Sequence, residues 1–84
     1  MKFTVVWSEE AEARLADIWL NAPHYRNEIS ELASRIDAIL RDVPHEVGES
    51  REGKRRIVYE PPLGAAFSVN QDDRIVLVLE NWRY

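Results

Sequence analysis

The chain has 84 residues, of which 45% are hydrophobic, with only 3 Gly and 4 Pro. This composition is typical of a folded protein and not of a linker or a disordered tail, so we expect a single domain over residues 1–84. The sequence contains no Cys, which excludes disulfides and thiolate metal sites. The net charge of −4 at pH 7 argues against a general nucleic-acid-binding protein.

The sequence predicts a cytoplasmic protein without a membrane partner. No apolar run approaches the length of a membrane span, and the amino-terminal residues 1–7 are too short for the apolar region of a signal peptide. The charge is uneven, with ten acids and four bases in residues 8–50 but four bases and two acids in residues 51–60. A polyanion would therefore have to bind the short basic segment.

The amino-terminal third predicts a strand followed by a helix. Phe3, Val5 and Trp7 alternate onto one face of the strand. Ser8 is a favourable helix N-cap, and Pro23 predicts that the helix ends near Asn21. The apolar positions that recur at helical spacing are Ala11, Leu15, Ile18 and Trp19.

A second amphipathic helix is the clearest element in the sequence. Its apolar stripe consists of Ile29, Leu32, Ala33, Ile36, Ile39, Leu40 and Val43. Pro44 and Gly48 end it. Because only a short turn separates the two helices, they are expected to form an antiparallel hairpin.

The last third changes to the alternation of strands. The predicted strands are Arg55–Glu60, Ala65–Val69 and Arg74–Glu80, separated by Pro61–Gly64 and by the turn Asn70–Asp73. The third strand is apolar on both faces, which predicts an interior position in the sheet. We therefore predict an α+β fold in which a strand, the helical hairpin and a three-stranded antiparallel meander form one sheet with the helices packed on one face.

This order of elements resembles the RelE/ParE toxin superfamily of type II toxin–antitoxin systems across essentially the whole chain. The local cues are Val5–Ala11, where a strand runs directly into a helix, and Gly48–Arg51 after the hairpin. A third cue is Val76–Leu79, which an aromatic and basic tail follows. The resemblance implies a bacterial, toxin-like protein that a protein antitoxin neutralises.

Members of that superfamily inhibit growth in two different ways. RelE-like proteins are mRNA interferases that cleave mRNA on the ribosome without a metal, using the 2′-hydroxyl of the RNA as the nucleophile. ParE-like proteins are gyrase inhibitors that bind and poison DNA gyrase. The resemblance therefore implies an antitoxin partner and either the ribosome with its mRNA or DNA gyrase as the target, with no cofactor. A homodimer is compatible with the same resemblance.

Metal-free RNA cleavage needs a base, cations around the phosphate and an acid for the leaving oxygen. The residues that match the cationic and carboxyl-terminal catalytic positions of cleaving relatives are Arg51, Lys54, Arg56, Arg83 and Tyr84. Cleaving members usually carry a tyrosine–arginine pair near the start of the middle strand, where this sequence reads Gly64-Ala65. Loss of one preorganised charge typically costs orders of magnitude in rate, so this departure argues against cleavage and leaves gyrase poisoning uncontradicted.

Plainer interpretations of the same residues compete with these. Arg55 and Arg56 are equally expected to pair with neighbouring acids, namely Glu49, Glu52 and Glu60, as a solvated strand edge. If these arginines have only that structural role, the whole domain is expected to be a non-catalytic protein-binding module with the RelE/ParE-like fold. Large aromatic residues are expected in the core, among them Trp7, Trp19 and Phe67. The two histidines, His24 and His45, are expected to be surface turn residues and not metal ligands.

Overall fold

The structure is a computed structural model that describes residues 2–42, 44, 49–50 and 55–84, with only the backbone of residues 49 and 50. The elements in chain order are β1 (Thr4–Trp7), α1 (Glu9–Leu20), α2 (Arg26–Asp42), β2 (Glu49–Ser50), β3 (Arg55–Glu60), β4 (Leu63–Asn70) and β5 (Ile75–Arg83). This is the predicted order with one addition, the two-residue strand β2.

The strands form one mixed sheet in the order β1-β5-β4-β3-β2. Strands β3, β4 and β5 are the predicted antiparallel meander, and β2 extends it on the outside of β3. Strand β1 pairs in parallel with β5, from Thr4 opposite Ile75 to Trp7 opposite Val78. The prediction that the last strand lies in the interior of the sheet is therefore confirmed, because β5 lies between β1 and β4.

Helix α1 begins and ends where the sequence indicated. The Oγ of Ser8 accepts a hydrogen bond from the backbone N–H of Ala11 at 3.1 Å, which satisfies one of the N–H groups that have no partner within the helix. The helix ends at Leu20, and the N–H of Asn21 donates to the carbonyl of Asp17 at 2.9 Å. Both boundaries follow from local residues that favour or forbid helical geometry.

The helices cover one face of the sheet and form the core with it. Helix α2 buries the predicted stripe, and the buried members among its described residues are Ile29, Leu32, Ile36 and Leu40. Phe67 is fully buried among them, as expected, and Trp7 is partly buried. The expectation for Trp19 is wrong, because its side chain is 38% exposed. The guanidinium of Arg26 lies 4.3 Å from its ring centroid, which explains how this aromatic is accommodated at the surface.

An irregularity between β4 and β5 changes which way the end of β5 faces. Phe67 pairs with Val78 but the preceding residue, Ala66, pairs with Glu80, so that β5 contains one extra residue. Such a bulge shifts the alternation of side chains by one position. Asn81 therefore faces the helices, where its Nδ2 donates to the carbonyl of Ala11 at 2.7 Å.

Neither helix in the part of the chain that the structure describes is long and apolar enough to cross a membrane.

Candidate functional site

The structure places the two described arginines of the predicted catalytic set at separate positions. Arg56 lies on β3 opposite Phe67, and Arg83 lies on β5 opposite Leu63. The two pairing positions are four residue steps apart along β4, which is about 13 Å, and two strand spacings add about 10 Å across the sheet. The guanidinium of Arg83 lies 5.5 Å from the ring centroid of Tyr25, near the turn between the helices.

Tyr84 lies on the opposite face of the sheet from these arginines. Its ring packs edge-on against that of Tyr59, with 5.8 Å between the centroids, on the face that the helices leave open. Arg56 and Arg83 share their register positions with Phe67 and Leu63, which face the helices. The structure therefore does not bring these three residues together at one point. The other two predicted site residues, Arg51 and Lys54, lie outside the described residues.

The start of the middle strand is closed to a large side chain at both positions. A Cβ built on Gly64 would lie 2.6 Å from Nε1 of Trp82, because the indole rests directly on the glycine backbone. Ala65 points to the other face and is fully buried beneath the helices. The arginine that cleaving relatives usually carry here is thus replaced by two small residues whose surroundings are already filled.

Three aromatic side chains form a cluster on the face of the sheet that the helices leave open, and the sequence did not predict this cluster. The ring of Tyr59 lies 6.4 Å from that of Trp82 and 5.8 Å from that of Tyr84, in edge-on geometry in both cases. Tyr59 and Tyr84 are among the exposed large residues of the described chain. The sequence feature that could have indicated the cluster is the turn at Pro61-Pro62. This turn pairs Tyr59 with Gly64, which in turn pairs with Trp82.

The sequence also did not predict a groove that lies between α1 and the end of β5. It is a cavity of about 520 Å³, lined by Glu10, Ala13, Arg14, Asp17, Leu79, Glu80, Asn81 and Trp82. A second cavity of about 320 Å³ continues it toward the helical turn and shares Arg14, Asp17 and Trp82 with it. No sequence motif marks this groove, because its two walls are about 65 residues apart in the chain and meet only through the sheet.

Ordinary ion pairs elsewhere on the described surface include one between α2 and β3 and one within α2. Glu60, which was a candidate partner of the arginines on β3, lies 3.8 Å from the guanidinium of Arg35 on α2. Asp37 and Arg41 pair across one turn of α2 at 2.6 Å. Within the described residues no group of three or more His, Asp or Glu side chains is arranged to hold a metal ion, and His24 is exposed in the turn between the helices.

The fold has clear relatives among solved structures, although no protein-family model and no curated protein sequence matches the chain. A chain of the toxin–antitoxin complex RelBE2 from Mycobacterium tuberculosis is similar with a TM-score of 0.81 and 14% identity, over 100% of both chains. A chain of the chromosomal ParDE TA system from P. aeruginosa is similar with a TM-score of 0.77 and 16% identity, over 96% of this chain and 95% of that one. Identities this low establish the shape only. The chain therefore has the RelE/ParE-type fold that the order of its elements predicted.

Proposed function

We propose that this chain is a single toxin-like domain, over residues 1–84, of a type II toxin–antitoxin pair. A protein antitoxin neutralises it, and it inhibits growth by binding a protein target, with DNA gyrase the target class that the resemblance suggests. The likeness in fold to chains of two toxin–antitoxin structures, over nearly the full length of each, supports the toxin-like role. A homodimer is compatible with this proposal.

The observation that favours protein binding over RNA cleavage is the closed start of β4. A cleaving site needs cations that are already oriented around one phosphate. Here Trp82 covers Gly64, and Ala65 is buried beneath the helices, so this segment presents no cation to a ligand. The separation of Arg56 and Arg83 along the sheet supports the same conclusion.

Ribosome-dependent, metal-independent mRNA cleavage is the competing activity within the same class. It would use the catalytic set predicted from the resemblance, which is Arg51, Lys54, Arg56, Arg83 and Tyr84. It requires Tyr84 to reach the helix-covered face on which Arg56 and Arg83 lie, or the RNA to contact both faces at the carboxyl-terminal edge. A third candidate is a binding module without toxicity, which the acidic charge balance favours.

The first experiment is induced expression in bacteria with and without the neighbouring open reading frame, followed by affinity recovery of any complex. We expect growth arrest without the neighbour and normal growth with it, together with a stable complex of the two proteins. Normal growth in both cultures with a recovered complex would identify the non-toxic binding module. Normal growth in both without a complex would contradict membership of a toxin–antitoxin pair.

The second experiment separates the two toxic activities with purified protein. We expect inhibition of plasmid supercoiling by gyrase and no new cuts when a translated reporter mRNA is mapped by primer extension. Arg56→Ala and Tyr84→Phe should leave gyrase inhibition within about twofold of the parent. The matched control is Arg55→Ala, which removes an adjacent cation on the open face. Ribosome-dependent cuts that Arg56→Ala or Tyr84→Phe abolishes, and Arg55→Ala does not, would establish cleavage instead.

A further inference from the structure

The face of the sheet that the helices leave open carries an exposed aromatic surface. On β3, Val58 is buried in the core beneath the helices, so its neighbours Ile57 and Tyr59 point to the open face. The rings of Trp82 and Tyr84 pack against that of Tyr59 on this face, and we call these three residues the aromatic triad. Tyr59 is 43% exposed and Tyr84 is 60% exposed. A contiguous apolar surface that water reaches in this way marks a site of interaction.

Gly64 brings the rings of the triad together. It lies on β4 between Tyr59 and Trp82 and pairs with both of them. Because glycine has no side chain, the indole lies directly over the strand, with three atoms 2.6–2.8 Å from the position that a Cβ would occupy. The ring planes meet that of Tyr59 at 75° for Trp82 and at 86° for Tyr84. Rings at these angles leave a wedge-shaped depression on either side of Tyr59 and do not form one flat platform.

The triad also offers hydrogen-bond donors to a ligand. Nε1 of Trp82 donates to no acceptor among the described residues, and it is not one of their buried unpaired polar atoms, so it is accessible. The hydroxyl groups of Tyr59 and Tyr84 likewise form no hydrogen bond within the described part of the chain. The indole of Trp7, by contrast, donates to Oδ1 of Asp37 at 3.3 Å. Because an indole N–H can only donate, a ligand that fits the triad must present an acceptor over Trp82.

The charges beside the triad favour a basic ligand over a nucleic acid. Glu80 is two residues before Trp82, shares its face of β5 and is exposed. Among the described arginines of the sheet, Arg83 points to the other face, and Arg55 is four residue steps from Tyr59, about 13 Å along β3. Binding of a single-stranded nucleic acid needs cations along the backbone of the stacked bases. The triad has a carboxylate in that position, which instead complements a Lys or Arg side chain.

A polyproline II helix has the shape and the polar groups that this surface requires. It forms no internal hydrogen bonds, so its backbone carbonyls remain free to accept from Nε1 of Trp82. An α-helix satisfies its own carbonyls and presents none along its length. Three residues of polyproline II rise about 9 Å. Trp82 and Tyr84 are about 7 Å apart along β5, so one turn covers the triad. Its proline rings are the groups that aromatic-lined grooves bind in other peptide-recognition sites.

We propose that the aromatic triad binds a proline-rich segment of a partner protein in the polyproline II conformation. Proline rings occupy the depressions on either side of Tyr59, and Nε1 of Trp82 donates to a backbone carbonyl of the segment. A Lys or Arg next to the prolines pairs with Glu80. This site goes beyond the proposed function and does not depend on it, because it rests on the open face of the sheet alone.

The test is an NMR titration of the isotope-labelled full chain with acetyl-Arg-Pro-Pro-Pro-Pro-Pro-Arg-amide. A basic residue at each end lets the peptide reach Glu80 in either direction of binding. We expect the indole N–H signal of Trp82 to shift and to saturate below about 1 mM peptide. The indole signals of Trp7, which is bonded to Asp37, and of Trp19 on α1 are internal controls and should not shift. A peptide with alanine at every proline position should bind at least about tenfold more weakly, because it is not preorganised as polyproline II.

Two sets of variants test the rings and the charge separately. Tyr59→Ala and Tyr84→Ala should each weaken the peptide by about tenfold, because each removes one wall of a depression. The matched control is Tyr25→Ala, which removes a tyrosine that is 49% exposed in the turn between the helices. Glu80→Gln should weaken the peptide by about twofold to fivefold and leave a peptide with Gln in place of Arg unaffected. Glu28→Gln, at an exposed position of α2, is the matched control for charge.

Other outcomes also decide the proposal. An unshifted Trp82 signal at saturating peptide, equal binding of the alanine peptide, or equal weakening by Tyr25→Ala overturns it. A single-stranded oligonucleotide that shifts the Trp82 signal where the proline peptide does not would assign the triad to nucleic acid and overturn it. A shift that grows with protein concentration without peptide would assign the open face to a second copy of the chain, with the same consequence. Failure of the peptide site leaves the proposed function standing, and normal growth on expression of the chain leaves the peptide site standing.

Discussion

The indole of Trp82 rests on the backbone of Gly64, so that a Cβ added to the glycine would lie 2.6, 2.7 and 2.8 Å from three indole atoms. We expect Gly64→Ala to destabilise the protein by about 1–3 kcal/mol, because the indole must leave its position. Chemical denaturation measures this loss. In a Trp82→Ala background the same substitution should cost less than about 0.5 kcal/mol, and equal costs in both backgrounds would show that the contact is irrelevant.

Ser8 connects the start of α1 with the edge of β5. Its Oγ accepts from the N–H of Ala11 and lies 3.3 Å from the carbonyl of Leu79, where it can donate. We expect Ser8→Ala to lower the free energy of unfolding by about 1–2 kcal/mol, because an N-cap and a bond to the sheet are lost together. Ser34→Ala, at an exposed position inside α2, is the control and should change stability by less than about 0.5 kcal/mol.

Among the residues that the structure describes, Asn81 is the one whose polar side chain is buried. Asn81→Ala removes the donor to the carbonyl of Ala11 and should cost about 1–3 kcal/mol of stability. Asn81→Asp should cost more at neutral pH, because it places a buried carboxylate against a carbonyl oxygen. Asn27→Ala, at an exposed position in α2, serves as the control in the same thermal and denaturant measurements. An Asn81→Asp protein as stable as the parent would contradict this account.

Phe67 and Trp19 were both expected in the core from the sequence, but their replacement by Ala should lower stability by different amounts. Phe67 is fully buried between the sheet and the helices, so Phe67→Ala should cost about 3–5 kcal/mol. Trp19 is partly exposed and contacts the guanidinium of Arg26, so Trp19→Ala should cost no more than about 1 kcal/mol. Similar losses for both variants in urea denaturation would show that Trp19 belongs to the core after all.

The ion pair between Arg35 and Glu60 should contribute little to stability. Its two charged groups are 3.8 Å apart, and the Arg35 side chain is 57% exposed. A double-mutant cycle with Arg35→Ala and Glu60→Ala should give a coupling below about 1 kcal/mol that shrinks as salt is added. A larger coupling that persists at high salt would mean that the pair anchors α2 to β3.

Local chemistry determined the two helices and the four longer strands of this protein, so its sequence was sufficient to predict these elements, whereas the two-residue strand β2 was not predicted. Ser8 and Pro23 set the limits of α1 through the backbone groups that they satisfy or block. The apolar stripe of α2 and the alternation of the last third follow from the two periodicities with which helices and strands expose side chains. The interior position of β5 followed from its apolar character on both faces.

The candidate sites depended on the tertiary structure, because they join residues that local periodicity does not connect. The bulge opposite Phe67 reverses the alternation of side chains along β5 and turns Asn81 toward the helices. Strict alternation along the sequence would place Asn81 on the other face of the sheet. The parallel pairing of β1 stops at Trp7, and only that length difference exposes the edge of β5 beside α1. The sequence by itself determined which elements form and in what order, since those depend on neighbours in the chain. The tertiary structure decided which side chains meet, because contacts between distant segments depend on the register in which the strands pair. One extra residue in a strand moves every later side chain of that strand to the opposite face of the sheet.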